Sequence, residues 1–463
     1  MMLAFRPITL ADRPLLERYT MCSELQNCDL AFANIFCWRD RYHSEVAEFE
    51  EHLIIRFAID GERELGYMFP LGGPLTQGLI EALRADAALQ GQPLRLMGLS
   101  EEDCAQLTSL APEAFAFDRA RSLSDYIYRR SDLERLTGKH YQPKRNHINR
   151  FKTLYPDYRF EVLRAEHIEE CLRLEQAWCQ HTERCREAAI VAERKAMHTA
   201  FAHYDELGLV GGVLYVDDRL VAFSYGSRVN HNTFVVHVEK ADTDYEGAFA
   251  MINRQLVELL DGEIQWINRE EDLGIEGLRK AKLSYHPDHL VDKRSALWLT
   301  DEQRGCRELW HEAFPEDEPR LVDRFLMRYF RRERLFLKRE GTQMVAMAHL
   351  VPFASDAGMV GYLYAVATTT DKRGRGLASE LIEEAAVEAH RAGCCALVLI
   401  PADEALRSYY AKRGFEGDFP LELQTADHYD FGTGDPTTDR AMWRSLDGST
   451  PAPDATLTCR YIG

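Results

Sequence analysis

Apolar residues at Leu377, Leu381, Ile382, Ala385 and Ala389 recur three and four positions apart, which lines one face of a helix running from Leu377 to Arg391. The apolar run before it, Val360 to Thr368, predicts a strand. The same reading covers the region from about residue 299. Helices are predicted over Glu302 to Ala313 and Glu318 to Phe330, with Pro315 between them. Strands follow over Leu335 to Arg339 and Met344 to Val351, joined by the turn Glu340-Gly341-Thr342. After the Leu377 helix come a buried strand, Ala396 to Ile400, and a short helix, Glu404 to Arg413, closed by Gly414. From Glu416 the chain is acidic and rich in Thr, Asp, Gly and Pro, which predicts loop in part, with a last strand over Leu457 to Ile462.

Upstream, to about residue 290, helical and strand patterns alternate. Helices are predicted over Leu10 to about Ser23, Glu166 to His181, Arg186 to Tyr204 and Gly247 to Leu260. Strands are predicted over Leu53 to Ala58, Leu94 to Met97, Phe160 to Leu163, Leu209 to Val216, Arg219 to Arg228 and Thr233 to Val238. Asp217-Asp218 reads as a hairpin turn between two of these. The class is mixed α/β, of the α+β kind.

Composition narrows the setting. A chain of 463 residues has room for about three domains, and 46% hydrophobic residues supply their cores. The formal charge of −19, from 56 basic and 75 acidic residues, argues against a broad nucleic-acid-binding surface but leaves room for a local basic groove. Eleven cysteines occur without a CxxC pair, so neither a zinc site nor a disulfide framework is expected, and a reducing cytoplasm is the expected compartment. No metal is expected. Met1 to Asp12 lacks the pattern of a signal peptide, and no run of about 20 apolar residues predicts a membrane span.

The turn between the Val360 strand and the Leu377 helix carries the first candidate chemistry: Arg373-Gly374-Arg375-Gly376-Leu377-Ala378. Two glycines let backbone N–H groups close on an anion, the helix dipole adds attraction, and Arg373 and Arg375 bring mobile charge. An ordinary strand-to-helix turn is the rival reading for the glycines alone. The stretch fills every fixed position of Arg/Gln-Gly-x-Gly-x-Gly/Ala, and Tyr409-Tyr410-Ala411-Lys412-Arg413-Gly414-Phe415 follows downstream. Together they make residues 299 to 415 resemble the GNAT acyl-CoA transferases. The resemblance implies that Arg373, Gly374, Arg375, Gly376, Leu377 and Ala378 hold the pyrophosphate of acetyl-CoA or another acyl-CoA. It implies too that Val366, Ala367 and Thr368 bond the pantetheine arm through their backbone. Tyr410 would protonate the departing thiolate, or else pack as a helix tyrosine against Phe415. The base that deprotonates the amine is His349, Tyr362, Tyr364 or a held water; a packed, structural role is the other reading of His349.

Three further clusters stand out in the N-terminal region. Gly138 to Lys152 is basic and punctuated by aromatics, and includes Lys144, Arg145 and Asn146. Val236-His237-Val238-Glu239-Lys240-Ala241-Asp242 is a strand that ends in charge. Ile267 to Tyr285 mixes both charge signs with glycines, and includes Asn268, Arg269, Glu270, Asp272, Lys280 and Lys282. With Phe32-Ala33-Asn34 and Trp38, these make residues 3 to 293 resemble the soluble C-terminal domain of lysylphosphatidylglycerol synthases, as carried by a widespread group of bacterial proteins.

That resemblance implies two GNAT-like lobes in tandem, at about 1–150 and 151–293, followed by a third GNAT domain at 299–463 with a central mixed sheet flanked by helices. It implies an aminoacyl group taken from charged tRNA, with the basic segment on acceptor-end phosphates, Lys and Arg on developing oxyanion charge, and Glu239, Glu270 or Asp272 on the amino group. A solvated helix start and an internal salt-bridge network are the plainer readings of the same residues. The expectation is an acyltransferase acting on a small-molecule or lipid-headgroup amine, whose N-terminal lobes transfer an amino acid to the same acceptor. The alternative makes those lobes a non-catalytic module that binds the acetyltransferase's substrate. A third reading, an RNA-binding regulator, is weakened by the net negative charge.

Overall fold

The two aspartates Asp217 and Asp218 have φ of 48° and 59°, the left-handed pair that a two-residue hairpin turn needs. The strands they join, β1 (Val210–Val216) and β2 (Arg219–Arg228), lie where the alternating pattern predicts them. In this computed structural model, which describes residues 3–59, 64–181, 188–432 and 439–463, the chain forms two units. One comprises Met1–Pro112 with Arg119–Ala296, the other Glu113–Asp118 with Leu297–Gly463.

The first unit holds two sheets. In one, strands Arg6–Pro7, Glu45–Phe49, His52–Ala58 and Leu65–Met68 pair antiparallel in that order, and Leu65–Met68 then pairs parallel with Arg95–Leu99. The aromatic segment near Phe32 forms a helix, Phe32–Tyr42, which buries Phe32, Ala33, Ile35 and Phe36 in the core. The second sheet continues through β3 (Thr233–Ala241), helix α1 (Ala248–Leu259) and β4 (Trp266–Asn268), with β3 and β4 parallel. The helix predicted from Arg186 is present as Ala188–Ala202; Arg186 and Glu187 lie outside the described residues.

Among the described residues, the second unit builds a mixed sheet of seven strands. Its centre is β5 (Gln343–Ser355) and β6 (Gly358–Thr368), followed by α2 (Leu377–Arg391), β7 (Ala396–Leu399) and α3 (Glu404–Ala411). Two strands absent from the sequence reading lie in the tail, Glu416–Gln424 and Arg440–Ser445. Phe419, Leu421, Ala441 and Trp443 anchor them in the core. The predicted last strand forms as Leu457–Tyr461 and pairs with the first of them.

Nine cysteines among the described residues are free thiols. Among those residues no helix is long and apolar enough to cross a membrane.

Candidate active sites

In the second unit, β6 pairs parallel with β7 only at Val360, Gly361 and Tyr362, then runs on alone on that side to Thr368. A bulge falls within the freed part. His349 faces Tyr364 and Met347 faces Ala367, so Ala348 opposes two residues, and Ala365 takes φ of 50°. Such a bulge tilts the strand edge and is a device found beside active sites. Val366, Ala367 and Thr368 lie on this unpaired edge, Ala367 buried and the other two partly exposed.

The glycine turn follows. Gly374 and Gly376 have φ of 82° and 84°, and a Cβ added to either would meet nothing within 4 Å, so conformation alone demands glycine and the space in front is open. Gly376 caps α2 without a side-chain hydrogen bond. Leu377 and Ala378 open α2, so their N–H groups have no partner within the helix, as an anion cradle requires. Arg373, Gly374, Arg375 and Gly376 are exposed. Arg373 Nε donates to Thr368 O at 3.3 Å, and Arg375 and Lys372 lean on Glu340.

Tyr410 is 7% exposed and packs against Tyr409 and Phe415, at ring distances of 5.3 and 5.7 Å. Burial pushes its phenol up to about 12, so it holds its proton at neutral pH. Its neighbour Tyr409 shares Ser379, in the first turn of α2, with Arg413, whose Nε donates to Ser379 Oγ at 2.8 Å. His349 is buried among Phe325, Phe330 and Trp310, with Nε2 unpartnered, and burial holds it down to about 3. Tyr362 donates to Phe431 O at 2.9 Å, and Tyr364 shares a hydrogen bond with Tyr429.

The first unit repeats this framework with different contents. Here β3 pairs with β4 from Thr233 to Val235 and is free beyond. Gly226 faces Val236 and Tyr225 faces Val238, so His237 is the extra residue of a bulge. Gly247, with φ of 90°, precedes α1 as Gly376 precedes α2. Its front is closed: a Cβ there would lie 2.4 Å from His147 O and 3.0 Å from Phe151 Cβ.

Two groups of the predicted residues gather beside the freed strand. Arg269 donates to Glu239 at 2.9 Å, and Asn253 holds the other carboxylate oxygen of Glu239 at 2.8 Å. Arg269 and Lys144 both lie on the Tyr285 ring, at 4.8 and 3.9 Å, and Arg269 Nη1 is buried without a partner. Burial, helped by repulsion from Arg269, holds Lys144 down to about 8. Lys282 donates to Arg269 O.

The second group centres on Asn268, whose Nδ2 donates to Asp125 at 2.9 Å and whose Oδ1 accepts from the Glu270 N–H at 2.6 Å. Glu270 Oε1 lies 3.0 Å from His237 Nδ1 and accepts from Asn34 Nδ2 at 2.9 Å. Beside it Lys293 Nζ sits 3.0 Å from both Asp29 and Asp125, against Glu271, and 3.6 Å from Cys28 Sγ. Burial raises Asp125 to about 7 although Lys293 opposes it; burial also works against the charge of Lys293, but the carboxylates around it outweigh that and hold it well up. Cys28, Asp29 and Glu271 could ligate a metal, but Lys293 already supplies the positive charge there.

The remaining predicted residues stand elsewhere. Asp272 is buried with Tyr126, Arg279 and Arg121; burial opposes its charge, yet the bonds from Arg279 and Tyr126 hold it down to about 2. That is an internal salt-bridge network. Arg145 and Asn146 bond Gln142 and the Gly138 carbonyl at the start of helix Gln142–Leu154. Lys240 pairs with Glu193 at 2.7 Å, and Lys280 is exposed. Cys28, Asp29, Asp125 and Lys293, together with Ser227, whose Oγ lies 2.8 Å from His237 Nε2, adjoin the second group but carry no local sequence signal. His237 and Asn34 lie inside segments that stand out in the sequence, yet nothing local marks them for a role.

Comparison with known proteins matches these two frameworks. Residues 21–296 match the family model "Phosphatidylglycerol lysyltransferase, C-terminal", and residues 303–415 match "Acetyltransferase (GNAT) family". A conserved Bacteroides thetaiotaomicron protein of known crystal structure is 42% identical over 64% of this chain and all of its own, with a TM-score of 0.63. The C-terminal domain of a putative lysylphosphatidylglycerol synthetase from Agrobacterium fabrum is 14% identical over 64% of this chain and 93% of its own, with a TM-score of 0.44. An uncharacterised protein of Mycoplasmoides gallisepticum is 22% identical over 37% of this chain, which spans 55% of that relative's length. The chain thus belongs to the phosphatidylglycerol lysyltransferase C-terminal family, joined to a GNAT domain, and has the acyltransferase character of both.

Proposed function

We propose that the second unit transfers an acetyl or other acyl group from CoA to an amine. One observation carries this reading: a freed, bulged strand edge leads straight into an open, uncapped helix N-terminus rimmed by Lys372, Arg373 and Arg375. Bound CoA would supply the activated thioester. Val366 to Thr368 would hold its pantetheine arm, and the N–H groups of residues 373–378 its pyrophosphate. Tyr410 would donate the proton that the thiolate needs, since its phenol is protonated at working pH. His349 is too weak a base at about 3 to deprotonate an amine, so we leave that step to a held water.

For the first unit the reading is aminoacyl transfer from charged tRNA to the same small-molecule or lipid-headgroup acceptor, in the cytoplasm. The covered Gly247 argues against a CoA pyrophosphate there, while Lys144, Arg269 and Glu239 offer charge of both signs for an aminoacyl ester. The covered helix end also favours the second reading, a non-catalytic substrate module. The decisive experiment supplies the full chain with charged tRNA, acetyl-CoA and extracts of lipids, sugars and peptides. Aminoacylated and acetylated products support the first reading; acetylation alone, with first-unit variants that change only the acceptor KM, supports the second. No transfer of either group defeats both.

A further inference from the structure

Ser227, His237 and Glu270 form a continuous hydrogen-bonded chain in the first unit. Ser227 Oγ is 2.8 Å from His237 Nε2, and His237 Nδ1 is 3.0 Å from Glu270 Oε1. The directions follow from donor counts. An ionised Glu270 only accepts, so His237 Nδ1 carries the proton, Nε2 presents its lone pair, and Ser227 donates to it. Asn34 holds Glu270 from the other side at 2.9 Å.

Folding places these groups at a cost that simple packing does not ask for. His237 is the extra residue of the β3 bulge, just past the point where β3 leaves β4. Glu270 has φ of 56°, a left-handed conformation that a glutamate rarely adopts. A buried serine needs no imidazole: Ser224, on the same strand, gives its proton to the Val238 carbonyl at 2.8 Å. The chain is not sealed either: Ser227, itself 4% exposed, lines a cavity of about 380 Å³ with Phe32, Ala33 and Phe234, and the Glu270 side chain is 24% exposed.

We infer that Ser227 is a nucleophile, activated by His237 as base, with Glu270 and Asn34 as positioning residues, and that the first unit passes its acyl group through a Ser227 ester. This rests on acyl transfer by the first unit, as proposed above, with an aminoacyl ester as donor. Ser227 Oγ bonds to the donor's carbonyl carbon, and the donor's own ester C–O bond breaks. The Oγ proton moves to His237 Nε2 and from there to the departing alkoxide oxygen. The acceptor amine or hydroxyl then attacks the Ser227 ester, gives its proton to His237, and the proton returns to Ser227 Oγ as that ester breaks.

The test treats the full chain with a small alkyl fluorophosphonate and maps the adduct by peptide mass spectrometry. The expected result is a single phosphonyl adduct on Ser227, absent in Ser227→Ala. In His237→Gln labelling is at least about 100-fold slower. Glu270→Gln should lower the maximal labelling rate about tenfold and leave the half-saturating probe concentration unchanged, a split that lost packing does not produce. No adduct on Ser227, or an undiminished rate in a folded His237→Gln, overturns the inference. Should the variants fail to fold, the wild-type peptide map decides alone. Transfer of a radiolabelled amino acid from tRNA separates the two claims. Transfer by Ser227→Ala overturns the ester and leaves aminoacyl transfer standing; a Ser227 adduct without transfer by the wild type supports the nucleophile and removes the tRNA donor.

Discussion

Gly247 and Gly376 share one backbone conformation, at φ of 90° and 84°, and each stands one residue ahead of a helix that follows a bulged strand. What separates them is the space in front. The His147 carbonyl fills it at Gly247, and nothing fills it at Gly376. One framework thus presents two glycine-led helix starts, the first packed against helix Gln142–Leu154 and the second open.

Acetyl-CoA at about 100 Kd should stabilise the second unit by about 2.7 kcal/mol, a rise of several degrees in melting temperature. Gly376→Glu puts a carboxylate where the pyrophosphate would lie and should abolish the rise. The measurement is a thermal melt with and without CoA; a full shift in the variant would remove the cradle assignment.

The same glycines should differ in stability. Gly376→Ala meets only the left-handed backbone penalty, about 1–2 kcal/mol. Gly247→Ala adds a collision with the His147 backbone and should cost about 2–4 kcal/mol. Urea denaturation of the two variants decides, and equal losses would mean that helix Gln142–Leu154 yields freely.

What the sequence disclosed depended on range. The Leu377–Arg391 helix and its glycine turn are local, so spacing and residue type locate both. The Arg219–Arg228 strand is legible because an aspartate pair sets its hairpin. The strands at Glu416–Gln424 and Arg440–Ser445 are not legible because Gly417, Pro420 and flanking charges imitate a loop, while their strand character comes from partners far along the chain. The helix Phe32–Tyr42 has apolar residues on most of its first turn, which blurs its period. The polar site of the first unit is drawn from residues 28–34, 125, 227, 237, 268–271 and 293, and no window of sequence holds them together.

Tyr410→Phe removes one oxygen from a well-packed ring. If Tyr410 donates to the thiolate, kcat for acetyl transfer should fall about 100-fold or more while the melting temperature stays near wild type. Steady-state kinetics with a generic polyamine acceptor measures it. An unchanged kcat would leave Tyr410 as packing against Phe415.

Lys293→Met should destabilise the first unit by about 3–5 kcal/mol, because Asp125, fully buried, and Glu271, largely so, would then lack their cation. Adding Asp125→Asn should recover part of the loss. The wild type carries a related signature. Asp125 is raised above its unfolded value, so its contribution to stability is complete below about pH 4 and is lost as pH rises through about 7. Denaturation midpoints of the wild type and Asp125→Asn across pH 5 to 8 should therefore diverge in favour of the variant as pH rises.

Lys144 bears the last expectation. Its ammonium is held down to about 8 from 10.5, first by burial on the Tyr285 ring and then by Arg269. A depressed folded value means that its contribution to stability is present above the unfolded pKa and is lost as pH falls through about 8. Lys144→Met, which keeps the stem and drops the charge, should therefore raise the melting temperature more at pH 6.5 than at pH 10. Function should run the opposite way. If the ammonium meets a phosphate or carbonyl oxygen of the donor, tRNA affinity in the wild type should weaken as pH rises through about 8, whereas Lys144→Arg, which stays charged, should hold its affinity across that range. Fluorescence titration with charged tRNA at fixed salt between pH 6.5 and 9.5 reads both curves. A wild-type affinity with no step near 8, or an identical step in Lys144→Arg, would place Lys144 outside the donor's contacts and leave it as a support for Tyr285.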